Sequence, residues 1–267
     1  MLVGLGFTKK SSVEKIEPER SLEYAIENGV EVNNLPKHIA FIMDGNGRWA
    51  KSKGEKRNFG HKSGVRVVKE LVKTFRYLNI PTITIYAFSS ENWKRTPQEV
   101  DFLMHLFEES IIKECTQLKN NGVRVKFIGR IDELRPNLKE KVRWIEQETA
   151  DQNKLSLNIA INYGGRNEIL DAVKEISNNI FNGNISKEDI NNIDEKFFEK
   201  YLYTSGLPDP ELIIRTSGEM RISNYLLWQI AYSELWVTKT CWPDFGVKEL
   251  TEALYDFQNR ERRFGKE

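Results

Sequence analysis

Short apolar segments alternate with longer amphipathic segments along most of this 267-residue chain. The short segments are rich in β-branched or aromatic residues and are bounded by glycine, proline or asparagine, which is typical of strands. The predicted strands are 38–44, 82–88, 123–129, 155–163, 211–217 and 234–240. In the longer segments apolar residues recur at spacings of three and four, which indicates helices. The predicted helices are 62–78, 97–119, 137–150, 166–181 and 246–263.

This alternation predicts an α/β fold, in which a single domain holds a mostly parallel six-stranded sheet flanked by helices and joined by right-handed crossovers. Several strands are almost continuously apolar, as expected when both faces of a strand are buried. Residues 1–34 are polar and are interpreted as an N-terminal arm with one short helix over 22–27, so that the domain spans 35–267. Ligands of such sheets bind at the carboxyl ends of the strands.

The composition of the chain argues against several classes of protein. The 40 basic and 39 acidic residues leave a formal net charge of +1, which disfavours a nucleic-acid-binding protein. No apolar run approaches the ~18 residues of a membrane-spanning helix, and the first residues lack the basic cluster of a signal peptide. Cys115 and Cys241 have no Cys-x-x-Cys spacing and suit a reduced cytoplasmic protein.

The first predicted strand ends in Asp44, Gly45, Asn46, Gly47 and Arg48. Glycines let backbone N–H groups approach an anion closely. Arg48 follows Gly47 directly and adds a positive charge. A carboxylate by itself repels phosphate, so the combination favours a Mg²⁺ ion that bridges Asp44 to phosphate oxygens. A tight turn with a surface Asp–Arg pair is the alternative interpretation.

The spacing of Gly45, Gly47 and Ala50 also matches the Gly-x-Gly-x-x-Ala fingerprint of dinucleotide-binding proteins. That fingerprint needs a helix that starts at the second glycine, and an acidic residue about 20 residues further on. Residues 49–60 are polar, interrupted by glycine and not amphipathic, so no helix is predicted there, and the next strand ends much later. A nucleotide-dependent oxidoreductase is therefore the weaker hypothesis.

Further candidate binding groups follow this first motif. Arg57 and His61 precede the helix predicted at 62–78, whose N-terminus favours anions. The second strand ends in a polar segment that is either part of the site or a solvated loop. Its candidate residues are Ser89, Ser90, Glu91, Asn92, Trp93 and Arg95.

The fifth strand ends in a second candidate anion site. Arg215 and Arg221 flank a glycine turn and Ser223 follows, and guanidinium groups match the geometry of phosphate oxygens. Glu234 opens the sixth strand, and we expect it within reach of the same edge as a second metal ligand, although an exposed glutamate is an equally good interpretation. Two anion sites beside a carboxylate indicate two phosphate-bearing ligands bound side by side with a metal ion.

Long motifs across the body of the chain resemble the cis-prenyltransferase family, the undecaprenyl diphosphate synthases. These motifs are HIAFIMDGNGRWA, GHKSG, YAFSSENWKR, INYGGR, IRTSGEMRISNYLLWQIAYSELW, WPDF and RERRFG. The resemblance implies a homodimer with an apolar tunnel between the sheet and the helices. It also implies a Mg²⁺-dependent transferase that elongates an allylic diphosphate, typically farnesyl diphosphate, with successive isopentenyl diphosphates through cis double bonds. The Asp-Asp-x-x-Asp motif of trans-prenyl synthases is absent, and the intact motif at 44–48 argues against a non-catalytic subunit.

The resemblance also implies a role for each matching residue. Asp44 and Glu234 match metal ligands and Asn92 matches a residue that takes part in proton removal, so Asp44 and Asn92 are the predicted catalytic residues. The residues that match the allylic diphosphate site are Gly45, Asn46, Gly47, Arg48, Trp49, Arg57 and His61, with Ser89, Ser90, Glu91, Trp93 and Arg95 beside Asn92. The residues that match the isopentenyl diphosphate site are Arg215, Arg221, Ile222 and Ser223. Residues 263–265 match a C-terminal Arg-x-Gly that can reach across a dimer, and Met220 departs from a polar side chain of some relatives.

The product expected from the resemblance is a long cis-polyprenyl diphosphate, with undecaprenyl diphosphate, a lipid carrier for cell-wall synthesis, as the leading candidate. Each buried CH₂ group contributes about 0.8 kcal/mol, so each five-carbon unit gains about 3–4 kcal/mol in an apolar tunnel. The apolar faces of the helices at 97–119 and 137–150 are candidate tunnel walls, although core packing explains most of these positions better. Contact with the membrane is expected to be peripheral, at its inner face.

Overall fold

A six-stranded sheet organises the computed structural model, which describes residues 15–261. Its strands are β1 (His38–Ile42), β2 (Thr82–Ser89), β3 (Val123–Ile128), β4 (Leu155–Tyr163), β5 (Leu212–Arg215) and β6 (Glu234–Val237). The α-helices are α1 (Ser21–Glu27), α2 (Asn46–Ser52), α3 (Arg57–Leu78), α4 (Pro97–Asn120), α5 (Pro136–Glu148), α6 (Gly165–Phe181), α7 (Lys187–Asn191), α8 (Glu195–Glu199) and α9 (Val247–Gln258). Short 3₁₀ helices cover Pro18–Arg20, Val32–Asn34, Ser90–Lys94, Ile131–Glu133 and Trp242–Asp244.

The strands lie in the order β3-β4-β2-β1-β5-β6, and each neighbouring pair is parallel. The predicted α/β fold is therefore confirmed. In the centre of the sheet, Ile39 of β1 pairs with Ile83 of β2 on one side and with Leu212 of β5 on the other. This register brings the carboxyl ends of β1, β2 and β5 together at one edge.

Both faces of the sheet are buried, as the continuous apolar pattern of the strands predicts. In β1, Ile39 and Phe41 face the core that α3 and α9 cover, whereas Ala40 and Ile42 face a cluster that contains Tyr163. Residues of the predicted N-terminal arm join the first core, since Ala25 is fully buried there. Among the described residues, no helix is both long enough and apolar enough to cross a membrane.

The structure differs from the sequence-based prediction around residues 46–61. Helix α2 occupies 46–52, where no helix is predicted, and α3 begins at Arg57 rather than at 62. A glycine in α3 permits the close approach of the two helices. A Cβ at Gly60 would lie 2.0 Å from the Asn46 carbonyl oxygen, so a larger residue would not fit there. The short helix α2 therefore lies directly on α3, and this tertiary contact stabilises a segment with no apolar periodicity.

Two further consequences of these boundaries concern the earlier predictions. His61 lies in the second turn of α3 rather than before the helix, so it is not beside free N–H groups at the helix end. The absence of a helix after Gly47 was one of two arguments against a dinucleotide-binding fingerprint, and the presence of α2 removes it. The argument from the missing acidic residue remains. At the other end of the chain, α9 ends at Gln258, five residues earlier than predicted.

Candidate active site at the carboxyl edge of the sheet

A polar cleft of about 520 Å³ lies where β1, β2 and β5 end. The predicted site residues that line it are Asp44, Gly45, Asn46, Gly47, Arg48, Arg57, His61, Ser89, Asn92, Arg95, Arg215 and Ser223. Asp44 and Arg215 are 171 residues apart in sequence, yet their side chains are hydrogen-bonded. The structure therefore brings the first motif and the first and last residues of the 215–223 segment into one cleft.

Asp44 lines this cleft at the end of β1. Its Oδ1 accepts the backbone N–H of Gly45 at 2.7 Å, and its Oδ2 accepts Nη2 of Arg215 at 2.9 Å. The hydroxyl of Thr216 donates to the Asp44 carbonyl at 2.7 Å. These contacts hold a partly exposed carboxylate in one orientation at the end of β1.

Gly45 makes the turn that carries the chain from β1 into α2. Its φ of +101° lies in the region that favours glycine, and a Cβ there would lie 2.9 Å from both Cys241 Sγ and Ser217 Cβ. Arg48 then reaches back across this turn, where its guanidinium donates to the carbonyl at 2.9 Å and to the hydroxyl of Ser217. The same guanidinium lies 3.3 Å from Glu219.

Arg215 is the most enclosed cation of the cleft, since only 4% of its side chain is exposed. Besides Asp44, it donates to the Ser223 hydroxyl at 2.8 Å and to the carbonyl of Arg221. Within the described part of the chain, its Nε–H is buried and has no acceptor. A buried guanidinium with an unused donor is ready to bind an oxyanion that enters the cleft.

A second group of side chains lines the cleft from the start of α3 and from the segment just before α4. Arg57 and Arg95 both contact Glu99, at 3.1 and 2.8 Å. His61 Nε2 is 3.6 Å from the same carboxylate, which is too long for a hydrogen bond, so this nitrogen is buried without a partner among the described residues. Burial, followed by the charge of Arg95, lowers the pKa of His61 to about 4 despite the opposing effect of Glu99. His61 is therefore uncharged near neutral pH.

The 3₁₀ helix Ser90–Lys94 carries the polar residues that follow β2. Asn92 Oδ1 accepts the backbone N–H of Ser89 at 3.1 Å, which fixes the Asn92 amide against the cleft. Glu91 contacts Asn224 at 2.8 Å, and Trp93 donates to Asn162 at 2.7 Å. Glu91 and Trp93 thus tie the loop to neighbouring segments rather than line the cleft.

Some other predicted site residues lie beside the cleft. Trp49 stacks on Phe59, with ring centroids 5.6 Å apart, and its indole N–H donates to Asp244 at 2.7 Å. The exposed Arg221 side chain pairs with Glu219 at 2.6 Å. The predicted residues that do not line the cleft are Trp49, Ser90, Glu91, Trp93, Arg221, Ile222 and Glu234.

Glu234 lies at the amino edge of the sheet, opposite the carboxyl edge at which it is expected. It is the first residue of β6 and pairs with Leu212, the first residue of β5, whereas Asp44 follows the last residue of β1. Three strand residues, or about 10 Å, separate the level of Leu212 from that of Arg215. Glu234 instead bonds Arg260 at 2.7 Å. Within one chain, Glu234 and Asp44 therefore do not share a metal site.

Sequence reasoning missed four residues that shape the site: Glu99, Thr216, Ser217 and Asn224. Thr216 and Ser217 follow Arg215 directly in the fifth-strand motif, so their positions were available from the sequence. Asn224 has a φ of +60° and donates to Glu91 across the cleft rim. No sequence motif indicated Glu99, because its role depends on a contact with Arg57, which lies on another helix.

An apolar cavity of about 160 Å³ adjoins the cleft, between α3, α4 and the sheet. Met43, Asn46, His61, Ala87 and Leu103 line both spaces. Helices α3 and α4 line this cavity, and α5 contributes only Ile145. The tunnel expected from the resemblance stays a prediction. An anion-binding cleft that opens beside an apolar space suits a ligand with a charged head and an apolar chain.

The residues present also suit Mg²⁺. This ion usually binds one or two protein carboxylates together with substrate phosphates and water, so Asp44 alone is a sufficient protein ligand. Each Asp44 oxygen accepts one N–H in the structure and keeps a lone pair for a cation. The part of the chain that the structure describes has no group of three or more His, Cys, Asp or Glu that could hold a metal without substrate.

The fold and the cleft define a class of protein: an α/β protein with a cation-lined cleft at the carboxyl edge of a parallel sheet, the edge at which such sheets bind ligands. Comparison with known sequences is more specific. The sequence model of the family described as "Putative undecaprenyl diphosphate synthase" matches residues 42–265. The isoprenyl transferase of Clostridium perfringens is 49% identical over 233 residues, which are 87% of this chain and 91% of that protein. The isoprenyl transferase of Heliobacterium mobile is 46% identical over 243 residues, which are 91% and 92% of the two chains.

Solved structures agree with the sequence comparison. Lavandulyl diphosphate synthase from Lavandula x intermedia, in complex with dimethylallyl diphosphate, has a TM-score of 0.82 at 34% identity and covers 87% of this chain and 99% of its own. A probable undecaprenyl diphosphate synthase from Campylobacter jejuni has a TM-score of 0.71 at 31% identity, over 87% and 100%. The chain belongs to the undecaprenyl diphosphate synthase family and is a cis-prenyltransferase. The predicted family is confirmed, and the oxidoreductase hypothesis is set aside.

Proposed function

We propose that this chain uses Mg²⁺ to condense farnesyl diphosphate with successive isopentenyl diphosphates, and that its product is a long cis-polyprenyl diphosphate. The observation that carries this proposal is the single cleft that Asp44, four arginines and His61 line together and that adjoins an apolar cavity. Undecaprenyl diphosphate, as a lipid carrier for cell-wall synthesis, is the product that the family favours.

The allylic diphosphate is proposed to bind between the first turn of α2 and the start of α3. Helices leave their first backbone N–H groups unbonded, and Arg48, Arg57 and Arg95 supply positive charge around that turn. A bound Mg²⁺ on Asp44 would stabilise the negative charge that develops on the departing diphosphate. The arginines act in the same direction, and each charge-assisted hydrogen bond contributes about 1.5–3 kcal/mol.

The isopentenyl diphosphate is proposed to bind at Arg215, Arg221, Ile222 and Ser223. Arg215 offers a buried Nε–H in this region, and the exposed Arg221 side chain can exchange Glu219 for a phosphate oxygen at little cost. Asn92 is the proposed participant in proton removal, because it lines the cleft with its amide held by Ser89. This placement puts both diphosphates in the cleft that Asp44 lines.

The growing chain is proposed to extend into the apolar cavity between α3 and α4. Ligand pockets for drug-sized molecules hold roughly 300–1,000 Å³, so a cavity of about 160 Å³ must widen to accept a long chain. Burial of each five-carbon unit gains about 3–4 kcal/mol, which offsets the cost of separating the helices. The same gain keeps intermediates bound between additions.

A homodimer is part of the proposal. The exposed side chains of Leu170, Val173 and Phe181 lie on α6, and Phe181 is 91% exposed. Apolar side chains concentrated on one exposed helix are typical of a protein–protein interface. The predicted contribution of residues 263–265 lies outside the described residues. Peripheral contact with the inner face of the membrane stays a prediction, as does a cytoplasmic location.

The test is direct. The purified chain is incubated with farnesyl diphosphate, labelled isopentenyl diphosphate and Mg²⁺, and the butanol-extractable products are analysed by mass spectrometry. We expect a series of products that differ by five carbons and end at one dominant length. Omission of Mg²⁺ should abolish the label in the extract. The absence of any extractable product with Mg²⁺ present would refute the proposal.

A further inference from the structure

One carboxylate, that of Glu99, connects the cations on the α3 side of the cleft. Its Oε1 lies 3.1 Å from Arg57 Nε, 2.8 Å from Arg95 Nη1 and 3.6 Å from His61 Nε2. These three partners line the cleft, but Glu99 does not, and only 12% of its side chain is exposed. Glu99 therefore acts on the cleft through its neighbours.

The local sequence predicts a different use for this side chain. Thr96 is the N-cap of α4, and a glutamate three residues later commonly folds back to the N-cap backbone in a capping box. Thr96 does accept the Glu99 backbone N–H, at 3.4 Å. The Glu99 carboxylate, however, points to Arg57 on α3 and to Arg95 instead. The Glu99 side chain therefore connects α4 to α3 instead of capping its own helix.

The charges explain what this contact does. Arg57 and Arg95 come from separate segments, and their guanidinium groups would repel each other without an anion between them. A guanidinium has five N–H donors, and Glu99 contacts one nitrogen of each arginine, which leaves the other donors for the cleft. Arg57 is 55% exposed and Arg95 30% exposed, so neither is held by burial alone.

We propose that Glu99 is a positioning residue that holds Arg57 and Arg95 in the orientation that binds the allylic diphosphate. This inference rests on the proposed function, because it assigns the cations around Glu99 to the allylic substrate rather than to isopentenyl diphosphate. It gives Glu99 no contact with substrate and no role in the chemical step.

The experiment compares Glu99→Gln with the matched control Glu108→Gln. Glu108 lies on the same helix, its side chain is 17% exposed, and it pairs with Lys141 at 3.0 Å, away from the cleft. Glu99→Gln should raise the KM for farnesyl diphosphate about 10-fold, the factor that corresponds to about 1.4 kcal/mol. The KM for isopentenyl diphosphate should change less than about 2-fold, because Arg215 is untouched. Glu99→Asp, which keeps the charge, should recover part of the loss, and Glu108→Gln should resemble the parent chain.

Two further measurements keep the outcomes separate. Thermal unfolding by circular dichroism should give similar Tm values for the two glutamine variants, which separates lost positioning from lost folding. Calorimetric titration with inorganic pyrophosphate measures the anion site without turnover, and Glu99→Gln should weaken it about 10-fold. If the parent chain makes no product, the proposed function fails while the titration still tests Glu99. Unchanged or tighter binding of pyrophosphate and of farnesyl diphosphate by Glu99→Gln would overturn the inference.

Discussion

The two groups of cations in the cleft are built differently. Arg215 is almost fully buried and has three acceptors, namely Asp44, Ser223 and the Arg221 carbonyl. Arg57 and Arg95 are partly exposed and share one carboxylate on a neighbouring helix. The Arg215 side is thus held by many short contacts, whereas the Arg57 side depends on a single counter-charge.

This difference suits two substrates with different demands. Under the proposed function, isopentenyl diphosphate is the same at every cycle, so a rigid site serves it throughout. The allylic substrate lengthens with each addition, and its diphosphate must enter again with a longer chain behind it. An adjustable group of cations next to the apolar cavity accommodates that change. Substitution, salt and pH can test whether the two sides behave as differently as their contacts indicate.

The largest effect is expected at Asp44, whose carboxylate lies 2.9 Å from Arg215 and 3.7 Å from Arg48. Asp44→Asn should lower kcat by about 10²–10³-fold with a smaller change in KM, because it removes charge stabilisation of the departing diphosphate. Steady-state kinetics with both substrates measures this. The exposed Asp101 on α4, which pairs with Arg135, supplies the control Asp101→Asn. An unchanged kcat in Asp44→Asn would contradict the role of Asp44.

Truncation of Asp44 should have an additional effect on stability. Asp44→Ala leaves the buried Arg215 guanidinium without its counter-charge and should lower the Tm. The loss of stability should be smaller than the about 3–5 kcal/mol of fully buried pairs, because 34% of the Asp44 side chain is exposed. The asparagine variant keeps an oxygen acceptor for Arg215 and should unfold nearer the parent Tm, so it is the better variant for kinetics.

The second prediction compares arginine-to-lysine substitutions on the two sides. Lysine cannot donate to several acceptors in a plane, so Arg215→Lys should lower kcat/KM for isopentenyl diphosphate by about 100-fold. Arg57→Lys should lower kcat/KM for farnesyl diphosphate by only about 10-fold, because an exposed ammonium group can still reach the Glu99 side. Arg143→Lys, at an exposed position on α5, is the control. Equal losses of kcat/KM in Arg215→Lys and Arg57→Lys would contradict the proposed difference between a rigid and an adjustable site.

Ionic strength provides a third, smaller test. The screening length falls from about 10 Å at 0.1 M salt to about 3 Å at 1 M, and exposed charges are screened more than buried ones. The KM for farnesyl diphosphate should therefore rise about 3-fold more than the KM for isopentenyl diphosphate over this range. The ratio of the two KM values, measured on one preparation, cancels general effects of salt. If the ratio of the two KM values did not change with salt, the different solvent exposure of Arg57 and Arg215 would have no effect on substrate binding.

Acid stability on the α3 side provides a test that does not depend on substrate. Burial lowers the pKa of His61 from 6.5 to about 4, so the unfolded chain binds more protons than the folded chain between these values. The contribution of neutral His61 is complete above pH 6.5 and is lost as the pH falls toward 4. Between pH 7 and pH 5 the free energy of unfolding of His61→Gln should therefore fall less than that of the parent chain, by on the order of 1–3 kcal/mol. The fall in Tm over this pH range should be correspondingly smaller for His61→Gln.

The exposed His105 on α4 provides the control for this measurement. His38 contributes equally to both variants, since burial lowers its pKa to about 4 as well. His105→Gln should follow the parent curve of Tm against pH. Identical curves for the parent chain and His61→Gln would contradict the burial of a neutral imidazole at this position.

Much of the fold could be predicted from the sequence because local patterns carry it. Six apolar strands and five longer helices were placed within a few residues, and their alternation specifies a parallel sheet. Helix α2 was missed because its stability comes from contact with the glycines of α3 rather than from periodicity. The placement of Glu234 was wrong for a topological reason: the first residue of a parallel strand lies at the edge opposite its neighbours' last residues.

The sequence by itself determined which chemical groups stand at the strand ends, because strand boundaries and residue types are local properties of the chain. Only the tertiary structure decided how those groups pair. The order of strands places Asp44 beside Arg215, and the packing of α4 against α3 turns the Glu99 carboxylate from its own helix end toward Arg57. Such pairings depend on distances across the folded core, which no local propensity specifies.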